Sequence, residues 1–535
     1  MHKIKDGDSV SLDAVIVGAG FSGLYMLYKL KQLGLTARII EAGSGVGGTW
    51  YWNRYPGARC DVESMEYSYS FSEALQQEWV WTERFAGQEE ILKYLDHVAD
   101  RFQLRPDIML QTKALSCAFS EKTNLWSVET TRDSYLAKYC VMATGPLSST
   151  NIPSFPGLSD YQGKTYHTGN WPHQKVDFSG ETVGIIGTGS SAIQSTPIVA
   201  EQSKHLFVFQ RTPNFSVPAG NVPLSDEAQN SMKANYSSFR KQQRGLPAAC
   251  NSLPRRQGAL EATVLERSEV YESYWQKGGL SFLTCFNDLV SNKESNKTAV
   301  DFIHEKIKDI VEDPITAKKL SPDHLFGCKR PCSDTGYYQV FNKPNVSLID
   351  ALESPIVSFT KNGIETKDRH FELDNVIFAT GFDAMTGSLD RINITGRNGQ
   401  SLKSKWQAGP VSYLGLSVSG FPNLFIMTGP GSPSVLANMV VGAEQHSEWI
   451  SECIKHIEEN NLSAIEASKT AENEWVEHIN NVADTTIYPT CNSWYLGANI
   501  PGKPRIFMPY VGGFQRYERK CKAVQADNYT GYIFS

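Results

Sequence analysis

The sequence predicts an α/β fold with two Rossmann-like dinucleotide-binding domains, the second of which carries a helical insertion. Two glycine-rich strand-to-helix turns, at Gly18–Gly23 and Gly187–Ala192, support the paired domains. A change to charge-rich helical sequence between residues 217 and 326 supports the insertion. At 535 residues the chain is long enough for this arrangement and for a large buried core.

Composition and charge restrict the class of protein. Apolar residues make up 41% of the chain and charged residues 20%, and the net charge of −6 gives no reason to expect nucleic acid. No apolar run has membrane-spanning length, and no secretory signal is present. The ten cysteines include no CxxC pair, which predicts reduced thiols rather than a disulfide framework. We therefore expect a cytoplasmic enzyme without a membrane partner, monomeric or weakly oligomeric.

The first glycine turn follows the apolar run Leu12–Val17 and precedes leucines at helical spacing. Gly18 permits a tight turn, Gly20 lets the backbone approach a pyrophosphate, and Gly23 lets helix and strand pack closely. The helix N-terminus supplies N–H donors and a partial positive charge. Glu41 ends the next apolar run and can accept hydrogen bonds from ribose hydroxyls. These features predict a nucleotide site; a turn that serves packing alone is the alternative.

Glycines and aromatic residues cluster directly after this unit, between Gly47 and Asp61. The glycines would let backbone amides approach a ligand, while Trp50 and Trp52 offer flat apolar surfaces to a ring system. Either tryptophan alone would more simply be core, but the pair favours the wall of an isoalloxazine site. Asp61 is an acidic residue in a segment rich in apolar residues. It is therefore either exposed or paired with a buried cation, and we favour pairing.

The second glycine turn lies between strands Thr182–Ile186 and Leu206–Phe209, with a helix in between. Arg211 and Thr212 follow the second strand, where the first unit has an acid. An arginine and a hydroxyl suit a 2′-phosphate, and charge-assisted hydrogen bonds to it contribute roughly 1.5–3 kcal/mol. The second unit therefore predicts NADPH, unless Arg211 merely solvates a sheet edge.

The chain leaves the first domain and returns to it, because strands ending in Ala-Thr-Gly occur at Ala143 and again at Ala379. An acid for ribose in one unit and an arginine for a 2′-phosphate in the other suggest FAD and NADPH. The predicted divisions are an FAD-binding domain at 1–145 and 377–535, an NADPH-binding domain at 146–216 and 327–376, and a helical insertion at 217–326. The 377–535 part of the FAD-binding domain includes a C-terminal loop for substrate and NADP.

Three enzyme types combine these cofactors on one chain: disulfide reductases, flavin-containing N- or S-oxygenases and ketone-oxidising oxygenases. The missing CxxC pair argues against the first. Lys329 and Arg330 precede Pro331 and form a rigid cationic corner where the chain returns from the insertion. Such a pair is either surface charge or a contact to phosphate or flavin, and its position favours the contact.

Two longer motifs carry a resemblance to a known family. The stretch Tyr161–Pro172 matches FxGxxxHxxxW followed by Pro or Asp, with Tyr161 in place of Phe and with Gly163, His167 and Trp171 at the defined positions. The stretch Gly47–Asp61 matches [A/G]GxWxxxx[F/Y]P[G/M]xxxD throughout. On these motifs the chain resembles the type I Baeyer–Villiger monooxygenases over essentially its whole length, most closely the phenylacetone-oxidising branch.

The resemblance implies a role for each matching residue. Arg330 would be the catalytic arginine, and Asp61 would hold it. FAD would lie against Gly18, Gly20, Ser22, Gly23, Glu41, Gly48, Thr49, Trp50, Trp52, Asp61 and Tyr67. NADPH would contact Arg59, Gly187, Thr188, Gly189, Ser190, Ser191, Ile193, Gln194, Arg211, Thr212, Lys329, Arg330 and, when its loop closes, Trp494. Ser434, Val435 and Leu436 would line the substrate pocket, and no metal is expected.

The resemblance also implies the reaction. NADPH would reduce FAD, the reduced flavin would form a C4a-peroxide with O2, and this would convert a ketone to an ester or lactone and a thioether to a sulfoxide. Arginine suits the role beside an anion because it stays charged at any working pH. An N- or S-oxygenase and a non-catalytic NADPH/FAD redox sensor are the alternatives. The ketone could be aryl, cyclic, linear or steroidal.

His167 is the only histidine in the Tyr161–Pro172 stretch. It could act as an acid or base, but flavin, Arg330 and Asp61 already serve the chemistry. We therefore expect it to fix the relative orientation of the two domains.

Overall fold

The computed structural model describes residues 9–535, and its strands build two large sheets and three small ones. The strands are β1 (Val10–Val17), β2 (Ala37–Ile40), β3 (Ile108–Met109), β4 (Ala114–Ser120), β5 (Leu125–Thr130), β6 (Ser134–Met142), β7 (Lys164–His167), β8 (Thr182–Ile186), β9 (His205–Gln210), β10 (Ser216–Pro218), β11 (Cys332–Asp334), β12 (Val346–Asp350), β13 (Ile356–Thr360), β14 (Gly363–Thr366), β15 (His370–Glu372), β16 (Asn375–Phe378), β17 (Asn393–Thr395), β18 (Leu424–Ile426), β19 (Ile465–Ala467) and β20 (Tyr532–Phe534).

The helices cover these sheets and fill the insertion. They are α1 (Phe21–Gln32), α2 (Thr49–Trp52), α3 (Glu73–Glu78), α4 (Gln88–Arg101), α5 (Ser190–Gln202), α6 (Asp226–Ala234), α7 (Tyr236–Arg244), α8 (Val264–Lys277), α9 (Lys293–Ile310), α10 (Pro314–Leu320), α11 (Gly387–Asp390), α12 (Leu402–Lys405), α13 (Met439–Glu459), α14 (Lys469–Ala483) and α15 (Phe514–Ala526). The stretch predicted as a helical insertion contains α6 to α10.

The first large sheet has the order β17-β4-β5-β6-β1-β2-β3, with β18 also paired to β6. Its central strand β1 lies parallel to β6 and to β2, so that Ile16 pairs with both Val141 and Ile39. Both faces are covered at the C-terminal half of β1, where Ala14–Val17 are apolar and buried. The strands β4, β5 and β6 pair in antiparallel fashion.

The second large sheet is entirely parallel, in the order β12-β9-β8-β16-β7. Phe378 of β16 pairs with Ile186 of β8 on one side and with His167 of β7 on the other. The Tyr161–Pro172 stretch therefore contains the edge strand of this sheet. The predicted boundary between residues 376 and 377 falls inside β16, all four residues of which pair here.

One expectation about the thiols was wrong. Cys328 and Cys491 form a disulfide with their Cα atoms 5.9 Å apart, whereas the other eight cysteines are free. The two cysteines are separated by 163 positions, so sequence spacing gave no indication of the pair. Within residues 9–535, no helix is long and apolar enough to cross a membrane.

Candidate active site

A single cavity of about 1060 Å³ runs from the first glycine turn to the second. Most of the predicted site residues line it. They are Gly18, Gly20, Ser22, Glu41, Gly48, Thr49, Trp50, Trp52, Arg59, Asp61, Tyr67, Gly187, Thr188, Gly189, Ser190, Ser191, Gln194, Arg211, Thr212, Lys329, Arg330, Val435 and Trp494. The cavity therefore joins the two predicted nucleotide sites around the predicted catalytic pair.

Both glycine turns lead into helices whose first N–H groups have no side-chain cap. Helix α1 begins after Gly20 and α5 after Gly189, and neither has an acid in its first turn. A Cβ on Gly189 would have no heavy atom within 4 Å, so space is open in front of that backbone. Uncapped donors at the positive end of a helix, facing open space, fit a pyrophosphate at each turn.

Gly23 was predicted to contact FAD, but it does not line the cavity. A Cβ at this position would lie 1.9 Å from the carbonyl oxygen of Gly18, so its function is the close packing of α1 on the turn. Gly18 itself has a φ of +107°, and a Cβ there would lie 2.5 Å from the carbonyl oxygen of Ala143. Side chains are therefore excluded at both positions.

The Glu41 carboxylate is buried beneath the first turn and accepts two backbone hydrogen bonds. Its oxygens lie 2.8 Å from the nitrogen of Ala19 and 2.7 Å from that of Gly43. Burial raises the pKa of Glu41, and these backbone donors partly oppose the rise. Each oxygen retains a second lone pair, so Glu41 can still accept from a ribose hydroxyl.

Aromatic side chains form the wall next to this turn. Trp50 donates from Nε1 to the Tyr67 hydroxyl at 3.3 Å, and the two rings meet edge to face. Burial raises the pKa of Tyr67, so its hydroxyl stays protonated. Trp52 follows on the same short helix, α2, and also faces the cavity. The arrangement is suited to a flat, hydrophobic ring system such as a flavin.

Arg330 and Asp61 form a two-pronged ion pair in the cavity wall. Arg330 donates from Nε and Nη2 to different Asp61 oxygens, both at 2.9 Å, and from Nη1 to the carbonyl oxygen of Val435 at 2.9 Å. About a quarter of each charged side chain stays exposed, 26% for Arg330 and 22% for Asp61. Burial opposes the charge on Arg330, but Asp61 and the neighbouring Tyr495 hydroxyl raise its pKa well above the ordinary value.

Two of the predicted substrate-pocket residues do not face this cavity. Ser434 is buried and donates to the carbonyl oxygen of Thr428 at 2.9 Å, while Leu436 packs against an apolar cluster that includes Phe507. Val435 lies between them and does reach the cavity. The three residues form one turn of 3₁₀ helix, in which successive side chains point in different directions.

The second turn places several polar groups at the cavity. Thr188 donates from its hydroxyl to the carbonyl oxygen of Thr212 at 2.6 Å, and Gln194 bonds both to the Arg59 carbonyl and to the Tyr55 hydroxyl. Ile193, predicted to contact NADPH, is instead fully buried in the apolar core of the insertion. It lies one position from Gln194 on α5, so its side chain is rotated about 100° around the helix and away from the cavity.

Two cations without an ion-pair partner face the same end of the cavity. Among residues 9–535, neither Arg211 nor Lys329 forms a salt bridge, although both line the cavity. Burial lowers the pKa of Lys329; the charge of Asp323 opposes this effect, and that of Arg211 adds to it. Arg59 differs, because its guanidinium is paired with Glu83. Two converging free cations fit a phosphate group.

The loop between α14 and α15, residues 484–513, closes the other side. Trp494 and the unpredicted residues Asn492 and Asn499 face the cavity, and Asn499 donates to the carbonyl oxygen of Phe382 at 2.7 Å. The Tyr495 ring contacts that of Trp494 at an interplanar angle of 51° and lies next to Arg330. Asparagine in a loop carries no distinct sequence signal, so pattern alone did not identify these contacts.

Apart from Gly169, which lines the cavity, the Tyr161–Pro172 stretch lies beside it. His167 accepts from the nitrogen of Gly169 at 3.0 Å, and burial lowers its pKa. Thr168 and Ser191 share a hydroxyl hydrogen bond of 2.9 Å, and the nitrogen of Trp171 donates to the carbonyl oxygen of Trp52 at 3.2 Å. Gly163, His167 and Trp171 do not line the cavity. The stretch therefore connects α5 of one unit with α2 of the other.

Two dinucleotide turns that share one cavity define a two-cofactor flavin oxidoreductase. The family profile described as pyridine nucleotide-disulphide oxidoreductase matches residues 15–238. A Baeyer–Villiger monooxygenase from Pseudooceanicola batsensis is 42% identical over 97% of this chain and 96% of its own length. The phenazine N-monooxygenase PhzNO1 from Lysobacter antibioticus is 40% identical over 99% of this chain and 98% of its own length.

Solved structures of monooxygenases are also similar to this chain. Oxidized steroid monooxygenase bound to NADP superimposes with a TM-score of 0.94 at 49% identity, covering 98% of this chain and 99% of that one. A further solved neighbour holds FAD and NADP together. The chain belongs to the Baeyer–Villiger monooxygenases. It is an FAD- and NADPH-dependent monooxygenase.

Proposed function

We propose that this enzyme oxidises ketones to esters or lactones with NADPH and O2, and that Arg330 stabilises the negative charge that develops during oxygen transfer. The observation that carries the proposal is the two-pronged Arg330–Asp61 pair between the two nucleotide turns. FAD, when bound, supplies hydride acceptance and oxygen activation. The protein's own residues supply binding, orientation and charge.

The hydrogen-bonding capacity of Arg330 supports this role. A guanidinium has five N–H donors, and the bonds to Asp61 and Val435 use three of them. One N–H on each terminal nitrogen remains; the Tyr495 hydroxyl lies beside the guanidinium, and an N–H that it does not take is available to an anion in the cavity. Since Asp61 and the Val435 carbonyl fix the plane of the group, the remaining donors are oriented before the reaction begins, as electrostatic stabilisation of developing charge requires.

The cofactor end of the cavity supports NADPH rather than NADH. Arg211 and Lys329 would bind the 2′-phosphate, and the uncapped N-terminus of α5 would bind the pyrophosphate. Trp494, in the 484–513 loop, would cover the nicotinamide end and exclude water from Arg330. One chain provides every one of these residues, which supports the monomer as the working unit.

A substrate panel tests the proposal. Phenylacetone, cyclohexanone, a long-chain ketone and a steroid ketone would each be incubated with enzyme, NADPH and O2, and products and NADPH consumption measured. We expect an ester or lactone from at least one ketone. In a separate incubation with a thioether, we expect a sulfoxide. NADPH consumption without any ester or lactone from the panel would contradict the proposal.

N-oxygenation is a second candidate, because the 40% identical Lysobacter antibioticus relative is named as a phenazine N-monooxygenase. A heteroaromatic amine added to the panel distinguishes the two. An N-oxide formed without any ester would favour this second function.

A further inference from the structure

The Cys328–Cys491 disulfide connects two segments of the active site. Cys328 lies two residues before Arg330, and Cys491 three residues before Trp494 in the 484–513 loop. The proposed roles of Arg330 and Trp494 make no use of either thiol. A covalent bond at this point joins the turn that carries Arg330 to the loop that covers the nicotinamide end.

The surroundings of the disulfide are apolar and already hold the loop near the insertion. Both cysteines pack with Ile487, Leu325 and Val290. The nitrogen of Ile487 also donates to the carbonyl oxygen of Val290 at 2.9 Å. With the bond reduced, this end of the loop would be held chiefly by one backbone hydrogen bond and a small apolar cluster, which are weak enough for local opening.

We propose that Cys328 and Cys491 are a redox modification site, oxidised by hydrogen peroxide to a disulfide that holds the 484–513 loop closed and reduced by a dithiol to release it. The proposal rests on the proposed role of Trp494 in covering NADPH. Oxidation would slow exchange of the nicotinamide cofactor, and reduction would restore it.

A neighbouring histidine contacts the Cys328 sulfur. His324 Nδ1 lies 3.7 Å from that sulfur and 3.1 Å from the carbonyl oxygen of Leu325. Because a carbonyl oxygen only accepts hydrogen bonds, Nδ1 carries a hydrogen and faces the sulfur as a donor. The Cys328 sulfur attacks one peroxide oxygen to give a sulfenic acid, and the thiol proton leaves with the other peroxide oxygen as water.

The second step closes the bond. The sulfur of Cys491 attacks the sulfur of the Cys328 sulfenic acid, and the hydroxyl group leaves with the Cys491 proton as a second water. Overall, two thiols and one hydrogen peroxide give one disulfide and two waters. The two sulfurs lose two electrons, which the peroxide accepts.

Peptide mapping tests the bond itself. Holoenzyme would be treated with hydrogen peroxide or with dithiothreitol, alkylated under denaturing conditions, and digested for mass spectrometry without reduction. We expect a cross-linked peptide pair containing Cys328 and Cys491 after peroxide and two alkylated peptides after dithiothreitol. Cys250→Ser removes a free, partly exposed thiol and should leave the cross-link unchanged, whereas Cys491→Ser should abolish it.

Cofactor release tests the consequence. We expect the oxidised holoenzyme to release NADP+ about fivefold or more slowly than the reduced enzyme, the lower end of ordinary coupling between two sites. Cys328→Ser and Cys491→Ser should release NADP+ at the reduced rate under both treatments. NADP+ release is measured without a ketone, so it is independent of ester formation. The inference about the disulfide can therefore fail while the proposed ketone oxidation is upheld, and the proposed ketone oxidation can fail while the inference is upheld.

Three results would overturn the inference. The first is absence of the cross-link after peroxide, and the second is a cross-link that leaves NADP+ release unchanged. The third is stoichiometric zinc in the purified enzyme with both thiols protected from alkylation, since His324, Cys328 and Cys491 lie close enough to ligate one ion.

Discussion

Arg330 and Asp61 are 269 positions apart in sequence, yet two parallel N–H···O bonds of 2.9 Å join them. Asp61 follows the first glycine turn, while Arg330 follows the helical insertion. Their contact therefore forms only when both nucleotide units and the insertion are folded together. The same cavity wall then presents a fixed positive charge between the two predicted cofactor sites.

Replacement of Asp61 by Ala should impair oxygenation without preventing flavin reduction. The guanidinium would lose two of its three bonds, and because both side chains keep about a quarter of their surface exposed, water would compensate in part. We expect ester formation to fall about 10–100-fold, below the loss of a whole oxyanion donor. In an Arg330→Ala background the same change should add little, because the two residues act as a unit. Additive losses would show that Asp61 acts independently.

Replacement of Arg211 by Ala should reduce the preference for NADPH over NADH. Loss of charge-assisted bonds worth about 1.5–3 kcal/mol predicts about a 10–100-fold rise in the KM for NADPH, with little change for NADH. Lys329→Ala should act in the same direction. Arg255→Ala, on the exposed surface of the insertion, is the matched control. An equal effect on both cofactors would place Arg211 away from the 2′-phosphate.

His446 should make the enzyme less stable in mild acid. It accepts from the nitrogen of Thr428 and bonds to the Tyr517 hydroxyl, and burial lowers its pKa to about 3 from the ordinary 6.5. Below pH 6.5 the unfolded chain gains a proton that the folded chain does not, so this stability is present above pH 6.5 and is lost as the pH falls toward 3.

His446→Gln keeps hydrogen bonding without titration. Between pH 7 and pH 5 the wild type should lose about 2 kcal/mol more free energy of unfolding than the variant. Denaturant unfolding at both pH values measures the difference. Parallel losses in the two proteins would mean that other groups determine the acid response.

His167 should matter for packing rather than chemistry. His167→Ala removes the acceptor for the Gly169 nitrogen and leaves a small cavity, so it should cost about 1–3 kcal/mol in unfolding free energy. His167→Asn can still accept that bond and should recover part of the loss. Flavin reduction and ester formation, measured with saturating NADPH below the unfolding transition, should stay near wild type. A specific loss of ester formation in both variants would give His167 a chemical role.

Local patterns predicted the nucleotide turns because the constraints there are local. Gly18 needs a positive φ, and a strand must precede each turn, so sequence spacing carries the information. Ile193 and Gln194 show the limit. Both directly follow the second glycine turn, but the helical rotation between them sends one into the core and the other to the cavity.

Long-range contacts could not be predicted in this way. The Cys328–Cys491 bond and the position of Asn499 against Phe382 depend on how the 484–513 loop folds back onto the insertion and the sheets. No sequence pattern within either segment indicates that the loop contacts the insertion and the sheets. Residue pattern alone predicted a cationic partner for Asp61, and only the resemblance to a known family identified that partner as Arg330.

The most direct test of the central claim is product formation by Arg330→Ala, with Arg330→Lys as the variant that keeps a charge but cannot form the two-pronged bond. Anaerobic reduction of the flavin by NADPH and ester yield per NADPH would be measured in both variants and in the wild type. We expect flavin reduction to persist and ester formation to fall about 10²–10³-fold in Arg330→Ala, with hydrogen peroxide released instead. An ester yield equal to wild type in Arg330→Ala would contradict the account.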